Sequence, residues 1–228
     1  MINKIVVKGY KSIKEQAVEL LPINILIGGN GIGKSNFISI FTLIRNLYEQ
    51  NLQNYILTKG GADCLLYMGK KETEHIVFDL FFAKRDQEAH NRFIVKLKEA
   101  QDSLFIERVE TAFNSGGVWH GQLHEANRQE SSFKNDYTGQ AFYVNSLLRE
   151  FEVYHFHDTG DRSPMKGKCN VEDNISLKSN GANIAAFLYY LKEKFPKHFA
   201  RIEKTVASVS PFFDGFNLMP NRLNEQLI

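Results

Sequence analysis

Gly28-Gly29-Asn30-Gly31-Ile32-Gly33-Lys34-Ser35 is the stretch on which the reading of this chain turns. Gly28, Gly33, Lys34 and Ser35 match the pattern GxxxxGK[ST]. Before it stands Ile23-Asn24-Ile25-Leu26-Ile27, a near-continuous apolar run that predicts a strand covered on both faces. After it Phe37, Ile38, Ile40, Phe41, Leu43, Ile44 and Leu47 recur at helical spacing, predicting a helix to about residue 49. Strand, glycine loop and helix together are the context in which such a loop cradles phosphate.

The chemistry follows from the residue types. Backbone N–H groups curve inward to form a concave nest of partial positive charge. The helix that follows adds its N-terminal dipole to the same field. Lys34 is expected to contact the β- and γ-phosphate oxygens as a point charge, and it is the candidate catalytic residue. The Ser35 hydroxyl is the expected Mg²⁺ ligand. Gly31 and Gly33 allow a backbone approach that a Cβ would block. The expected nucleotide-binding set is Asn30, Gly31, Ile32, Gly33, Lys34, Ser35 and Asn36, with ATP and Mg²⁺ as the ligands.

Outward from the loop, residues 2–7 and 17–21 read as strands, with a turn at Gly9-Tyr10-Lys11-Ser12. Residues 75–82, 92–97 and 104–111 alternate apolar and polar side chains, which predicts an antiparallel β region. Residues 114–136 are polar and read as a loop or an inserted hairpin. Residues 140–151 read as a helix and 152–156 as a strand. Two amphipathic helices are predicted over 184–195 and 197–209, broken at Pro196. The expected organisation is a nucleotide-binding lobe over 1–112, the loop or inserted hairpin over 113–138, a continuation of the lobe over 139–178, and the start of a helical lobe over 179–228.

Composition narrows the class without choosing a partner. A net charge of +2 neither demands nor excludes nucleic acid. Two distant cysteines, Cys64 and Cys169, suit a reducing compartment better than a disulfide framework. No apolar run approaches the length of a membrane span, so a cytoplasmic location and no membrane partner are expected.

Three segments carry a family resemblance: Ile5-Val6-Val7-Lys8-Gly9-Tyr10-Lys11-Ser12-Ile13, Leu20-Leu21-Pro22-Ile23-Asn24-Ile25-Leu26-Ile27-Gly28, and Asn30-Gly31-Ile32-Gly33-Lys34-Ser35-Asn36. Together they resemble the start of SMC/RecF-type ABC ATPases, closest to the stand-alone prokaryotic AAA-family members. That resemblance implies an α/β P-loop NTPase head of ABC type, with an antiparallel β lobe and a helical segment. It implies an ATPase that binds ATP between two copies, serving a DNA-related or antiviral-defence activity with DNA and an effector protein as partners. It also implies that Lys11 and Ser12 lie near the base, ribose or phosphates, and that His157 and Asp158 occupy the place of the Q-loop. An LSxG signature and an hhhhDE segment are absent from the sequence, so the chain is expected to be the N-terminal part of a longer protein and inactive in hydrolysis by itself. Ile76-Val77-Phe78-Asp79 imitates an hhhhDE segment, but Leu80 follows where glutamate is needed.

Other constellations are weaker. His155, His157, Asp158 and Asp161 lack a complete metal-ligand spacing. His120 and His124 read as surface histidines. Lys192, Lys194, Lys197, His198, Arg201 and Lys204 read first as a solvated helical face, because Glu193 and Glu203 interrupt them. Two functions stay open at this point: an ATP-driven head, or an ATP-binding regulatory module with little turnover.

Overall fold

A computed structural model describes residues 1–83, 89–154, 156 and 160–228. The elements run β1 (Ile2–Tyr10), β2 (Ile13–Glu19), α1 (Lys34–Tyr48), α2 (Leu52–Thr58), β3 (His75–Ala83) and β4 (Ala89–Ala100). They continue with β5 (Ser103–Ser115), β6 (Val118–Arg128), α3 (Ala141–Arg149), α4 (Ile184–Lys194) and α5 (Pro196–Val209). The chain divides into two compact units, Met1–Phe151 and Glu152–Ile228.

The first unit is a layer of helices on one face of an antiparallel sheet. Strand order is β2-β1-β3-β4-β5-β6, and every pairing is antiparallel. The period-2 alternation explains the layering. Ile5, Val7, Phe78, Leu80, Phe93 and Val95 point into the core. Lys4, Lys8, Asp79, Arg92 and Lys96 occupy the alternate positions. Onto the apolar face pack Ile40, Leu43, Ile44 and Leu47 of α1, Leu52 and Ile56 of α2, and Val144 and Leu148 of α3. Each such fully buried side chain contributes about 1.5–3 kcal/mol.

On the opposite face Asp79 and Arg92 pair with two hydrogen bonds, and the guanidinium lies 4.5 Å from the Phe81 ring and 5.1 Å from that of Trp119. Asp79 is thus consumed in an ion pair within an antiparallel ladder, which agrees with rejecting 76–79 as a catalytic-acid segment.

The apolar run at 23–27 departs from its expectation. It forms no strand: Ile23 is 80% exposed, Ile25 77% and Ile27 87%. The cause is local. β1 and β2 keep pairing up to the bond from Leu20 N to Asn3 O, after which Pro22 has no N–H to offer. Asn24 then folds back, its carboxamide oxygen accepting from Leu21 N at 3.0 Å and its nitrogen donating to Leu21 O. The segment leaves the sheet with its backbone unpaired, and no parallel pairing occurs among the described residues.

Of the two readings of residues 113–138, loop or inserted hairpin, the structure has a hairpin. The stretch holds the end of β5 and all of β6, a hairpin continuous with the main sheet. It returns through the turn at residues 131–135, where the buried Glu125 carboxylate accepts from Ser131 Oγ and Ser132 Oγ, each at 2.7 Å. The expected strand at 152–156 is not formed at residues 152–154 or 156, and the unit boundary at 151/152 falls inside the stretch expected to continue the first lobe.

The second unit has its own small core of Leu188, Phe199 and Leu218 between α4, α5 and the C-terminal segment. Pro196 starts α5 at a position where its missing N–H costs nothing, as its place in the sequence predicts. Buried Asn183 organises the approach to α4, bonding Lys178 N, Asp173 O and Ser176 O at 2.8 Å each.

Candidate functional site

Residues 28–33 have no regular structure, and α1 begins immediately behind them. Gly33 is the residue preceding the helix, with φ 99°, in the left-handed region that favours glycine. A Cβ there would meet Ser12 Oγ at 3.2 Å. No side chain caps the helix start and no acidic residue lies in its first turn. The first amides of α1 therefore keep their partial positive charge for an incoming anion.

The Lys34 ammonium bends back over the loop and donates to Gly28 O at 2.7 Å and Gly29 O at 2.6 Å. The cation and the amides of 28–35 thus share one small region. Ser35, Asn30, Gly31 and Ile32 are exposed, and the Ile32 side chain lies against Gly28.

The turn at Lys11-Ser12 is stitched to the first turns of α1. Lys11 adopts φ 47° and donates its amide to Leu65 O at 2.9 Å. Its ammonium donates to Ser39 Oγ at 3.0 Å, and Ser39 Oγ donates to Asn36 O at 2.8 Å. Asn36 Nδ2 donates to Ser12 Oγ at 2.9 Å. Lys11, Ser12, Gly33 and Asn36, separated in sequence, are therefore neighbours.

Residues that carry this arrangement but have no motif of their own are Tyr10 and Ser39. The Tyr10 phenol is buried, 2.9 Å from Ser39 Oγ, and burial pushes its ionisation far above the ordinary range. Ser39 lies one helical turn beyond Ser35, so the 3.6-residue period alone could have placed it beneath the loop.

His124 is not a surface residue. Its side chain is 1% exposed, with Nε2 2.7 Å from Thr111 Oγ1 and Nδ1 2.7 Å from Asp136 Oδ2. Glycines around it argue against a helix, but β6 turns its ring inward onto Phe133. Thr111 is fully buried, and this chain of contacts holds the sheet to residues 133–138. His120 is exposed and stacks on Phe113.

His155, His157 and Asp158, including the Q-loop-like pair, lie outside the described residues. Among the described residues no group of three His, Cys, Asp or Glu side chains could hold a metal, and no helix is long and apolar enough to cross a membrane. Cys64 and Cys169 are free thiols. The cations of α4 and α5 stand exposed. Phe195 is 45% exposed at the edge of Tyr190 and His198. Compared with known protein families and with curated proteins, the chain matches none.

Proposed function

We propose that the chain binds ATP with Mg²⁺ at residues 28–35, as the head of an ATPase similar to the SMC/RecF type. The observation that supports this most is the Lys34 ammonium held on the carbonyls of Gly28 and Gly29 above an uncapped helix start. Phosphate oxygens in that position would exchange two neutral acceptors for charged ones, and charge-assisted hydrogen bonds are the stronger kind. Ser35, exposed in the first turn, would give its hydroxyl to Mg²⁺. Lys34 and the metal would together neutralise charge building on the γ-phosphate during transfer.

The groups gathered around the loop are ammonium, hydroxyl and carboxamide: Lys11, Lys34, Ser12, Ser39 and Asn36. Among the described residues none of these groups is a base suited to activating water. This favours, as a second reading, a regulatory module in which bound ATP joins two copies and turnover is slow. DNA and an effector protein remain the partners implied by the resemblance.

Calorimetric titration of the purified chain with Mg-ATP and with Mg-GTP tests the reading. Uptake of ATP in preference to GTP, with negligible phosphate release, is the expected result. A well-folded chain that takes up neither nucleotide overturns it.

A further inference from the structure

We infer that the groove between α4 and α5 docks an acidic amphipathic helix of a separate polypeptide. The groove lies wholly within the second unit and owes nothing to residues 28–35.

Spacing along α5 builds it. His198, Arg201, Ile202, Thr205, Val206 and Val209 fall at i, i+3, i+4, i+7, i+8 and i+11, so they share one stripe of the helix. Leu191 of α4 stands across from that stripe, and the surface they line is almost wholly apolar. Leu191 and Ile202 pack partway onto the small core of Leu188, Phe199 and Leu218 and remain half-exposed. Val209 is 82% exposed. Phe195, where the two helices meet, stands at one end with its ring 6.2 Å from that of His198. From His198 to Val209 the stripe is about 16 Å long, roughly three turns, a length over which a bound helix sets its anchors.

Charge selects the occupant. Lys197, Arg201 and Lys204 recur at i, i+4 and i+7 and run beside the apolar stripe. Among the described residues none of these three forms a salt bridge, whereas Lys166 and Lys178 of the same unit do. Glu203, which breaks the basic run in the sequence, turns to the other flank of α5 and accepts from Phe216 N at 3.1 Å, beside Phe199. A row of free cations along an apolar stripe complements a helix that carries carboxylates beside its apolar anchors.

Other occupants fit less well. Nucleic acid would leave the aliphatic floor unmatched, since bases stack on aromatic faces and phosphates seek the cations alone. A groove walled by Leu191 suits a single chain better than the plane of a bilayer. A second copy, paired about a two-fold axis, would set the same cations against each other.

The test is fluorescence anisotropy of a labelled synthetic helix of about fourteen residues, with leucines at i, i+4, i+7 and i+11 and glutamates beside them. A counterpart with lysines in place of the glutamates, a single-stranded oligonucleotide and phosphatidylserine vesicles are the comparison probes. The wild-type chain should take up the acidic helix alone, more weakly as salt rises. Arg201→Glu and Val209→Asp should each weaken uptake about tenfold. Melting temperatures should not move, because both side chains are exposed, and Lys71→Glu in the first unit should change neither reading. Equal uptake of the two helices, or uptake indifferent to Arg201→Glu and Val209→Asp, overturns the assignment. Oligonucleotide or vesicle binding that Arg201→Glu removes overturns it in favour of a phosphate-bearing partner. Dimerisation abolished by Val209→Asp overturns it in favour of a second copy, and a chain that takes up no probe overturns it outright.

Discussion

Asn36 donates its side-chain amide hydrogen to the Ser12 hydroxyl across 2.9 Å, tying the β1–β2 turn to the helix behind the glycine loop. Because Ser12 also sits within contact of Gly33, the turn forms a wall of the loop rather than a distant connection. Ser12→Ala and Asn36→Ala should each weaken Mg-ATP uptake about fivefold, the worth of about 1 kcal/mol for one hydrogen bond. Melting temperatures should hardly move, because both groups are at the surface. Calorimetry paired with a thermal melt reads both effects, and a large melting shift without an affinity change contradicts the assignment.

Lys34→Ala removes the cation while leaving the glycines that shape the loop. A hydrogen bond to a charged group contributes about 1.5–3 kcal/mol, so ATP affinity should fall about ten- to hundredfold. Circular dichroism should stay as it is, since Lys34 bonds only loop carbonyls. Unchanged affinity would remove Lys34 from the site.

Phe133 joins the hairpin β5–β6 to the core: it is fully buried, 5.0 Å from the Phe93 ring and 5.2 Å from that of His124. Phe133→Ala should cost about 3–5 kcal/mol, as large-to-small aromatic changes in cores do. Urea unfolding measures it, and a loss below 1 kcal/mol contradicts the packing described.

Asp136 carries the acid dependence of the same region. Burial raises its pKa, but bonds from Thr138 Oγ1, Thr138 N and the His124 ring outweigh this and leave it below the ordinary carboxylate value. A folded-state value below the unfolded one gives stability that is complete above the unfolded pKa and is lost as pH falls through the folded one. Acid unfolding followed by fluorescence should therefore steepen below the ordinary carboxylate range. Asp136→Asn should be less stable at neutral pH and should show a flatter acid limb.

Ile25 stands 77% exposed in a segment with unpaired backbone, between Ile23 and Ile27. An exposed, β-prone apolar segment without charge is an aggregation hazard. Ile25→Lys should raise the concentration at which the isolated chain stays monomeric by light scattering, without altering its melting temperature. Destabilisation instead would show that Ile25 is covered within the chain.

Much of the first unit was legible in one dimension. The period-2 patterns at 75–82, 92–97 and 104–111 became β3, β4 and β5, and the 3.6-residue pattern after Lys34 became α1. Such patterns report local geometry and which face seeks an apolar neighbour. They do not name that neighbour. The run at 23–27 carries the signature of a doubly covered strand and yet lies open, since covering needs partners at long range. His124 shows the reverse: polar and in a polar stretch, it is enclosed because β6 pairs with β5 in one register and turns its ring toward Phe133.

The glycine loop, the helix behind it and the alternating strands were determined by the chain itself, because spacing along the backbone sets backbone conformation and the order of donors. Only the folded molecule decided that Lys11 and Ser12 stand beside Gly33 and Asn36, and that Asp79 is paired with Arg92. Those neighbours are distant in sequence, and it is the antiparallel register and the seating of α1 on the sheet that bring their charges within range.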